Sequence, residues 1–137
     1  MTKYELTGSC LCGAVAYSTA VEVKDFYFCH CEQCRKVTGS AFAANILARP
    51  AEVCWLKGAE RVRRFDYPGD RSFTTTFCTV CGSPLPFLNK SGTTLFIPAG
   101  TLDGDPGVAV GHNIFWKEHA AWFEQGLAAP RSAGFVE

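Results

Sequence analysis

The stretch FCHCEQCRK, residues 28–36, carries three cysteines within six positions. In an extended segment alternate side chains lie on the same face, so Cys29 and Cys31 point the same way. Cys31 and Cys34 have the C-X-X-C spacing in which a tight turn brings two sulfurs onto one metal ion. The stretch therefore predicts a metal site that takes three thiolate ligands from one short segment.

Two further stretches carry cysteines at ligand spacing. GSCLCGAV (8–15) has a C-X-C pair. FCTVCGSPL (77–85) has a C-X-X-C pair, followed by Gly82 where the chain must turn away. The four thiols belong to Cys10, Cys12, Cys78 and Cys81.

The simplest partition of these seven cysteines is four plus three. The four would surround one zinc tetrahedrally in a closed structural site that ties the N-terminal hairpin to the middle of the chain. Cys29, Cys31 and Cys34 would hold a second, catalytic zinc with a fourth position open to water or substrate. We therefore expect two zinc ions per chain and no disulfide.

Length and charge limit the class of protein. The 137 residues are within the usual size of one domain, so we expect a single zinc-binding domain over residues 1–137. The sequence shows neither a secretory signal nor about 18 consecutive apolar residues, so we expect a cytoplasmic protein with no membrane partner. Thiols clustered in the reducing cytosol favour metal binding over disulfides. The 13 basic and 13 acidic residues balance, which argues against a nucleic-acid partner, and RVRR (61–64) reads as the solvated face of a strand.

The apolar pattern predicts a mainly β chain. Apolar residues alternate at period two, and glycine and proline recur too often for long helices. We expect small antiparallel sheets and few short helices. The predicted strands are 14–18, 24–28, 40–48, 52–56, 61–67, 71–77, 84–88, 93–99 and 112–116. The predicted helices are 32–39 and 117–125.

Four other residues are possible metal ligands. Cys54 lies in EVCWL (52–56), which reads as a buried strand, so we assign this thiol to the core. His30 stands between two predicted ligands in an extended run, so its ring should face away from the metal as a satisfied, half-buried side chain. His112 and His119 are lone histidines near aromatic residues, and we assign neither as a ligand.

The ordered motifs resemble those of a known family. GSCLCGAV, CHCEQCRKVTG, FCTVCGSPL, AGTLD and IFWKEHAAWF follow one another as in the glutathione-dependent formaldehyde-activating enzyme family, which is also grouped with centromere protein V. The resemblance runs from about Glu5 to Phe123. It implies a β-tent fold and the same assignment of cysteines to a structural and a catalytic zinc. Many members have a histidine directly before the Ile-Phe pair, whereas this chain has Asn113 there and His112 one residue earlier.

The resemblance also implies an activity. The family's named reaction joins formaldehyde to the thiol of glutathione and gives S-hydroxymethylglutathione, which makes such a protein a carbon–sulfur lyase or synthase. The partner would be glutathione or its aldehyde adduct, with the thiol bound at the three-cysteine zinc. Arg35 and Lys36 could offset the negative charge there, and Arg35 could grip a carboxylate bidentately. Solvated residues on a helical turn are the other reading of this pair.

A second function is compatible with the same cysteines. A non-catalytic, zinc-stabilised module that binds protein or nucleic acid would need two closed sites and an exposed basic or apolar patch. The three-ligand count and the neutral net charge favour the enzyme. The sequence leaves open the identity of the aldehyde and the thiol, and the oligomeric state.

Overall fold

The computed structural model of the chain describes residues 2–136. Its strands and helices are, in chain order, β1 Lys3–Ser9, β2 Ala16–Cys29, α1 Glu32–Thr38, β3 Ala43–Ala48, β4 Cys54–Lys57, β5 Val62–Asp66, β6 Thr74–Cys78, β7 Pro84–Leu85, β8 Phe87–Leu88, β9 Leu95–Pro98, β10 His112–Ile114 and α2 Phe123–Ala128. Single 3-10 turns occur at Ala59–Arg61, Ala99–Thr101 and Trp116–Glu118. Within residues 2–136, neither helix has the length or apolar content needed to span a membrane.

The long strand β2 organises the larger sheet. Its first half pairs with β1 on one side and β4 on the other, and its second half pairs with β3 and β10. The register shifts between Val23 and Asp25, where such an irregularity bends a strand and increases its twist. The sheet continues from β3 through β9 to β8, while β5, β6 and β7 form a separate sheet. The strand β2 ends at Cys29, and α1 begins three residues later at Glu32.

Two apolar clusters form the core. The larger packs one face of the seven-stranded sheet and contains Leu6, Val21, Phe26, Ile46, Ala48, Leu95 and Ile97. The smaller joins the start of β2 to the three-stranded sheet and contains Cys10, Val15, Tyr17, Cys78 and Leu85. Two predicted metal ligands thus belong to the second core, so a metal there would be part of the packing that holds the sheets together.

The prediction of a mainly β chain with antiparallel sheets and few short helices is confirmed. Several details differ. The predicted strand 84–88 is two strands, β7 and β8, which belong to different sheets. The strand β1 was not predicted, and the predicted strands 14–18 and 24–28 are parts of the single strand β2. The strand β10 runs parallel to β2, whereas only antiparallel pairing was expected.

The predicted helix 117–125 is wrong in its first half. The chain forms a 3-10 turn at Trp116–Glu118, and α2 begins only at Phe123. The assignment of Cys54 to the core is also wrong, because this thiol is exposed. The strand β4 pairs with β2 alone and therefore lies at the edge of the sheet, where an apolar run need not be buried.

Candidate metal centres and the adjoining cleft

Four cysteines from distant parts of the chain meet in one cluster. The sulfurs of Cys10, Cys12, Cys78 and Cys81 all lie within 4.8 Å of one another. The Sγ atoms of Cys10 and Cys12 are 3.6 Å apart, and those of Cys12 and Cys78 are 4.0 Å apart. Four thiolates so close together are the donor set of a tetrahedral structural zinc site, so this cluster could hold a metal ion.

Two similar turns bring these sulfurs together. Gly13 and Gly82 both have φ of 78°, a left-handed conformation that glycine adopts without a steric penalty. The N–H of Cys78 donates to the carbonyl of Ser83 at 3.0 Å, which closes the second turn. The N–H of Leu11, at the tip of the first turn, donates to the Ser83 hydroxyl at 3.0 Å and joins the two turns. Each cysteine pair is thus followed by a glycine because the turn requires a left-handed backbone conformation at that position.

Hydrogen bonds favour the thiolate form at two positions of this four-cysteine cluster. The hydroxyl and the backbone of Ser83 lower the pKa of Cys81 to about 5. Burial opposes ionisation of Cys10. The Val15 N–H, which lies 3.3 Å from its sulfur, and the thiols of Cys12 and Cys78 outweigh burial and lower the pKa of Cys10. Because the thiolate is the form that binds metal, these contacts prepare the cluster for an ion.

Three cysteines form a second cluster at the end of β2. The sulfurs of Cys29, Cys31 and Cys34 lie within 4.8 Å of one another. No fourth histidine, cysteine or carboxylate of residues 2–136 lies within that distance of all three. Cys31 is the N-cap of α1, and its sulfur accepts the N–H of Cys34 at 3.4 Å. The three thiols could hold a metal ion and leave one coordination position without a protein ligand.

The thiols of this three-cysteine cluster influence one another's ionisation. The neighbouring Cys34 thiol lowers the pKa of Cys29 to about 6. The contact with Cys29, together with burial, raises the pKa of Cys34. Cys29 is therefore the thiol of this cluster that most favours the thiolate form, which is the form that binds metal.

The three-cysteine cluster opens into a cleft of about 1000 Å³. The floor of the cleft is the face of the seven-stranded sheet opposite the larger core. Paired residues of neighbouring strands line this floor, including Tyr27 with Asn45 and Leu47 with Phe96. Cys29, Cys31 and Cys34 all line the cleft at one end. The open side of the cluster thus faces a space large enough for a small molecule.

A lysine fixes one margin of this cleft. The Nζ atom of Lys90 donates to the carbonyls of Tyr67, Gly69 and Arg71 at 2.8, 3.0 and 2.9 Å. The next residue along the chain, Ser72, lines the cleft, as Lys90 itself does. This role could not be predicted from the sequence, because a lysine in the turn NKSG has no feature that distinguishes it from a solvated one.

The predicted substrate-binding pair lies beside the cleft rather than along it. Arg35 and Lys36 are in the last turn of α1, and neither lines the cleft. Lys36 borders a smaller pocket of about 320 Å³. The Nε atom of Arg35 is buried and has no hydrogen-bond partner among the described residues. A substrate contact for this pair stays a prediction.

His30 is fully buried, although a half-buried side chain was expected. Its Nε2 atom lies 2.9 Å from the amide oxygen of Asn113, and its backbone N–H donates to the carbonyl of Ile114 at 3.0 Å. Its ring meets Trp116 and Phe123 edge-on, at centroid distances of 4.9 and 5.0 Å. Asn113 thus anchors β10 to the segment that carries the three cysteines.

The other two histidines lie outside both sulfur clusters. The His119 ring stacks on Trp116 at 3.9 Å, and its Nε2 atom lies 3.4 Å from a carboxylate oxygen of Glu124. His112 is exposed and meets the ring of Tyr27 edge-on at 6.3 Å. The exposed thiol of Cys54 is likewise in neither cluster.

Comparisons with known proteins place the chain in a family. Residues 5–118 match the family model described as glutathione-dependent formaldehyde-activating enzyme, and the chain belongs to this family. A crystal structure of a Rhodobacter sphaeroides protein, a structural genomics target, is similar, with a TM-score of 0.59 and 25% sequence identity. That similarity covers 78% of this chain and 99% of the other. A search of curated proteins finds no match. The family resemblance noted from the motifs is confirmed.

Proposed function

We propose that this protein is a zinc-dependent carbon–sulfur lyase that reversibly joins an aldehyde to the thiol of glutathione. One observation carries the proposal: the three sulfurs of Cys29, Cys31 and Cys34 lie together without a fourth protein donor within the described residues, at one end of a large cleft. A binding module would need this second site to be closed. We further propose that the chain acts in the cytoplasm as one domain over residues 1–137.

The donor sets fit zinc at both clusters. Four thiolates suit a closed structural site, and three thiolates with an open position suit a catalytic one. The residues that would hold the catalytic ion are Cys29, Cys31 and Cys34. A zinc ion bound there would favour the thiolate form of a substrate thiol and polarise a carbonyl oxygen.

Activation of the thiol alone is a small effect. A thiol with pKa near 8.5 is only about 3% thiolate at pH 7, so lowering its pKa by about two units would give roughly 25-fold more nucleophile. The less basic thiolate would react about eightfold more slowly, because nucleophilicity falls with pKa at a Brønsted slope near 0.45. The net gain in rate is therefore small. The cleft must therefore contribute by holding the thiol and the aldehyde at reacting distance, an effect that can reach several kcal/mol.

Arg35 and Lys36 retain a proposed role in this activity. Three thiolates carry more negative charge than one divalent cation neutralises, and a bound substrate thiolate would add to it. The two basic side chains lie in the last turn of the helix that Cys31 caps. Their positive charge would offset the charge of the site from beside the cleft.

The metal content is the first test. Freshly reduced protein should contain two zinc ions per chain by elemental analysis. Titration under denaturing, chelating conditions should find all eight cysteines as free thiols. One zinc ion per chain, or cysteines that are paired in cells, would contradict the four-plus-three partition.

Glutathione should stabilise the folded protein. A ligand that binds only the folded state raises the free energy of unfolding by RT ln(1 + [L]/Kd), which is about 2.7 kcal/mol at 100 times Kd. The melting temperature should rise by several degrees in a thermal scan. S-methylglutathione keeps the peptide but has no ionisable thiol, so it should raise the melting temperature much less. Equal shifts with the two ligands would show that the site does not recognise the thiol.

A further inference from the structure

Phe115 has an unfavourable backbone conformation at the margin of the cleft. Its φ is 54°, and it is the only residue other than glycine with a positive φ in residues 2–136. A side chain in this left-handed region costs roughly 1–2 kcal/mol. Phe115 also lines the cleft with 54% of its surface exposed, so burial of its ring does not repay the cost.

The residues on both sides of Phe115 are fixed to one buried residue, His30, through its backbone and its ring. Asn113 and the carbonyl of Ile114 bond to His30, and the ring of Trp116 packs on the same imidazole. The N–H of Glu118 donates to the carbonyl of Phe115 at 3.0 Å and closes the 3-10 turn that follows. The strain therefore persists because the surrounding contacts determine the backbone, and such strained residues cluster at functional sites.

Apolar residues flank Cys29 in the cleft. Ile114 and Ala43 are the two strand partners of Cys29, one on each side, and both line the cleft. Val37 on α1 and Phe115 also line it and are about half exposed, at 47% and 54%. These four residues contribute an apolar wall to the cleft, whose lining also includes the polar residues Gln33, Thr38 and Glu118. A group that binds next to the reacting sulfur meets this wall.

We infer that the aldehyde this protein uses carries an apolar substituent, aryl or alkyl, which packs on Phe115. The inference rests on the proposed function. In the reaction the glutathione sulfur forms a bond to the carbonyl carbon, and the thiol proton ends on the former carbonyl oxygen, so no oxidant or reductant is needed. With formaldehyde the added group is a single hydroxymethyl, too small to cover the apolar wall.

The size of the cleft agrees with a larger adduct. Its volume of about 1000 Å³ is at the upper end of the range for small-molecule sites, about 300–1,000 Å³. The floor extends from Cys29 across Asn45 and Leu47 to Phe96, which leaves room for the peptide of glutathione along the sheet. The apolar substituent would then occupy the end beside Phe115, next to the reacting sulfur.

The test compares two stable glutathione conjugates by calorimetric titration. S-benzylglutathione presents an aryl group where S-methylglutathione presents one carbon. The wild type should bind the benzyl conjugate at least about tenfold more tightly, as expected when a ring is buried against an apolar wall. Phe115→Ala and Phe115→Gly should each remove most of that preference. Trp122→Ala, a change at an exposed aromatic residue that does not line the cleft, should keep it.

A melting curve for each variant establishes that it is folded. Phe115→Gly should melt at or above the wild-type temperature, because glycine tolerates a positive φ. Equal affinity of the wild type for the two conjugates would overturn the inference, as would a benzyl preference that survives in both Phe115 variants or disappears in Trp122→Ala. The proposed function is tested separately by glutathione itself, whose binding should require Cys31 whatever conjugate is preferred.

Discussion

Cys78→Ser should leave the chain unfolded or insoluble. A structural zinc contributes an apparent 10 to 16 kcal/mol in zinc-finger peptides, whereas the net stability of a typical domain is about 5 to 15 kcal/mol. Cys78 is fully buried in the smaller core beside Tyr17 and Leu85. Its loss would thus remove a ligand and also leave a hydroxyl among apolar side chains. Circular dichroism and thermal melting of the purified variant measure the effect, and Cys10→Ser should behave alike.

Two matched substitutions show whether the effect belongs to that cluster. Cys54→Ser changes an exposed thiol outside both clusters, so its melting temperature should stay close to that of the wild type. Cys31→Ser removes a thiol from the three-cysteine cluster and should leave a folded protein with one zinc ion. If Cys31→Ser unfolds the chain as completely as Cys78→Ser, the second site is also structural, and the binding-module alternative is favoured.

The cysteine clusters could be predicted because their geometry is local. A C-X-C pair in an extended segment places two sulfurs on one face, and a C-X-X-C pair in a turn does the same. The structure brings together the same four and the same three sulfurs that the spacing grouped. The contact between residues 10–12 and residues 78–81 is the one long-range feature of the clusters. It could be predicted because a structural zinc needs four ligands and each pair supplies two.

The strand pattern was less informative where burial depends on distant neighbours. Residues 19–23 contain no glycine or proline, yet two strands were predicted around them instead of the single strand β2. EVCWL reads as a core strand, but Cys54 begins an edge strand that pairs only with β2. Apolar content within a short run does not reveal how many strands flank it, so edge and central positions look alike in sequence.

The cleft could not be predicted from any local pattern. Its floor is built from β2, β3, β8 and β9, and its apolar wall joins α1, β3, β10 and the residue after β10. Lys90 supports one margin through three carbonyls that lie about 20 residues earlier in the chain. The positive φ of Phe115 follows from contacts to His30 on both sides, which no property of a phenylalanine in sequence indicates. These features depend on the tertiary structure.

Cys31→Ser should abolish turnover of glutathione with an aldehyde and weaken glutathione binding by more than about 100-fold. Loss of a residue that merely supports a metal ligand typically costs 10–100-fold in metal affinity or activity, so loss of a ligand should cost more. Serine is a suitable replacement because it removes the thiol and keeps a group that can cap the helix. Cys31 caps α1 by accepting the N–H of Cys34, and a serine hydroxyl caps a helix well, so the helix should survive the change.

Calorimetric titration of wild type, Cys31→Ser and Cys54→Ser with glutathione and S-methylglutathione measures this effect. The wild type should release a proton when glutathione binds, because a metal takes the thiol as its thiolate. It should bind S-methylglutathione much more weakly. Cys54→Ser should match the wild type with both ligands, since its thiol lies in neither cluster. Unchanged glutathione binding in a folded Cys31→Ser protein would mean that the three-cysteine cluster does not hold the substrate thiol. If the wild type binds neither ligand, either another thiol is the substrate or the protein has a non-enzymatic role. The fold and the two sulfur clusters would still call for a metal.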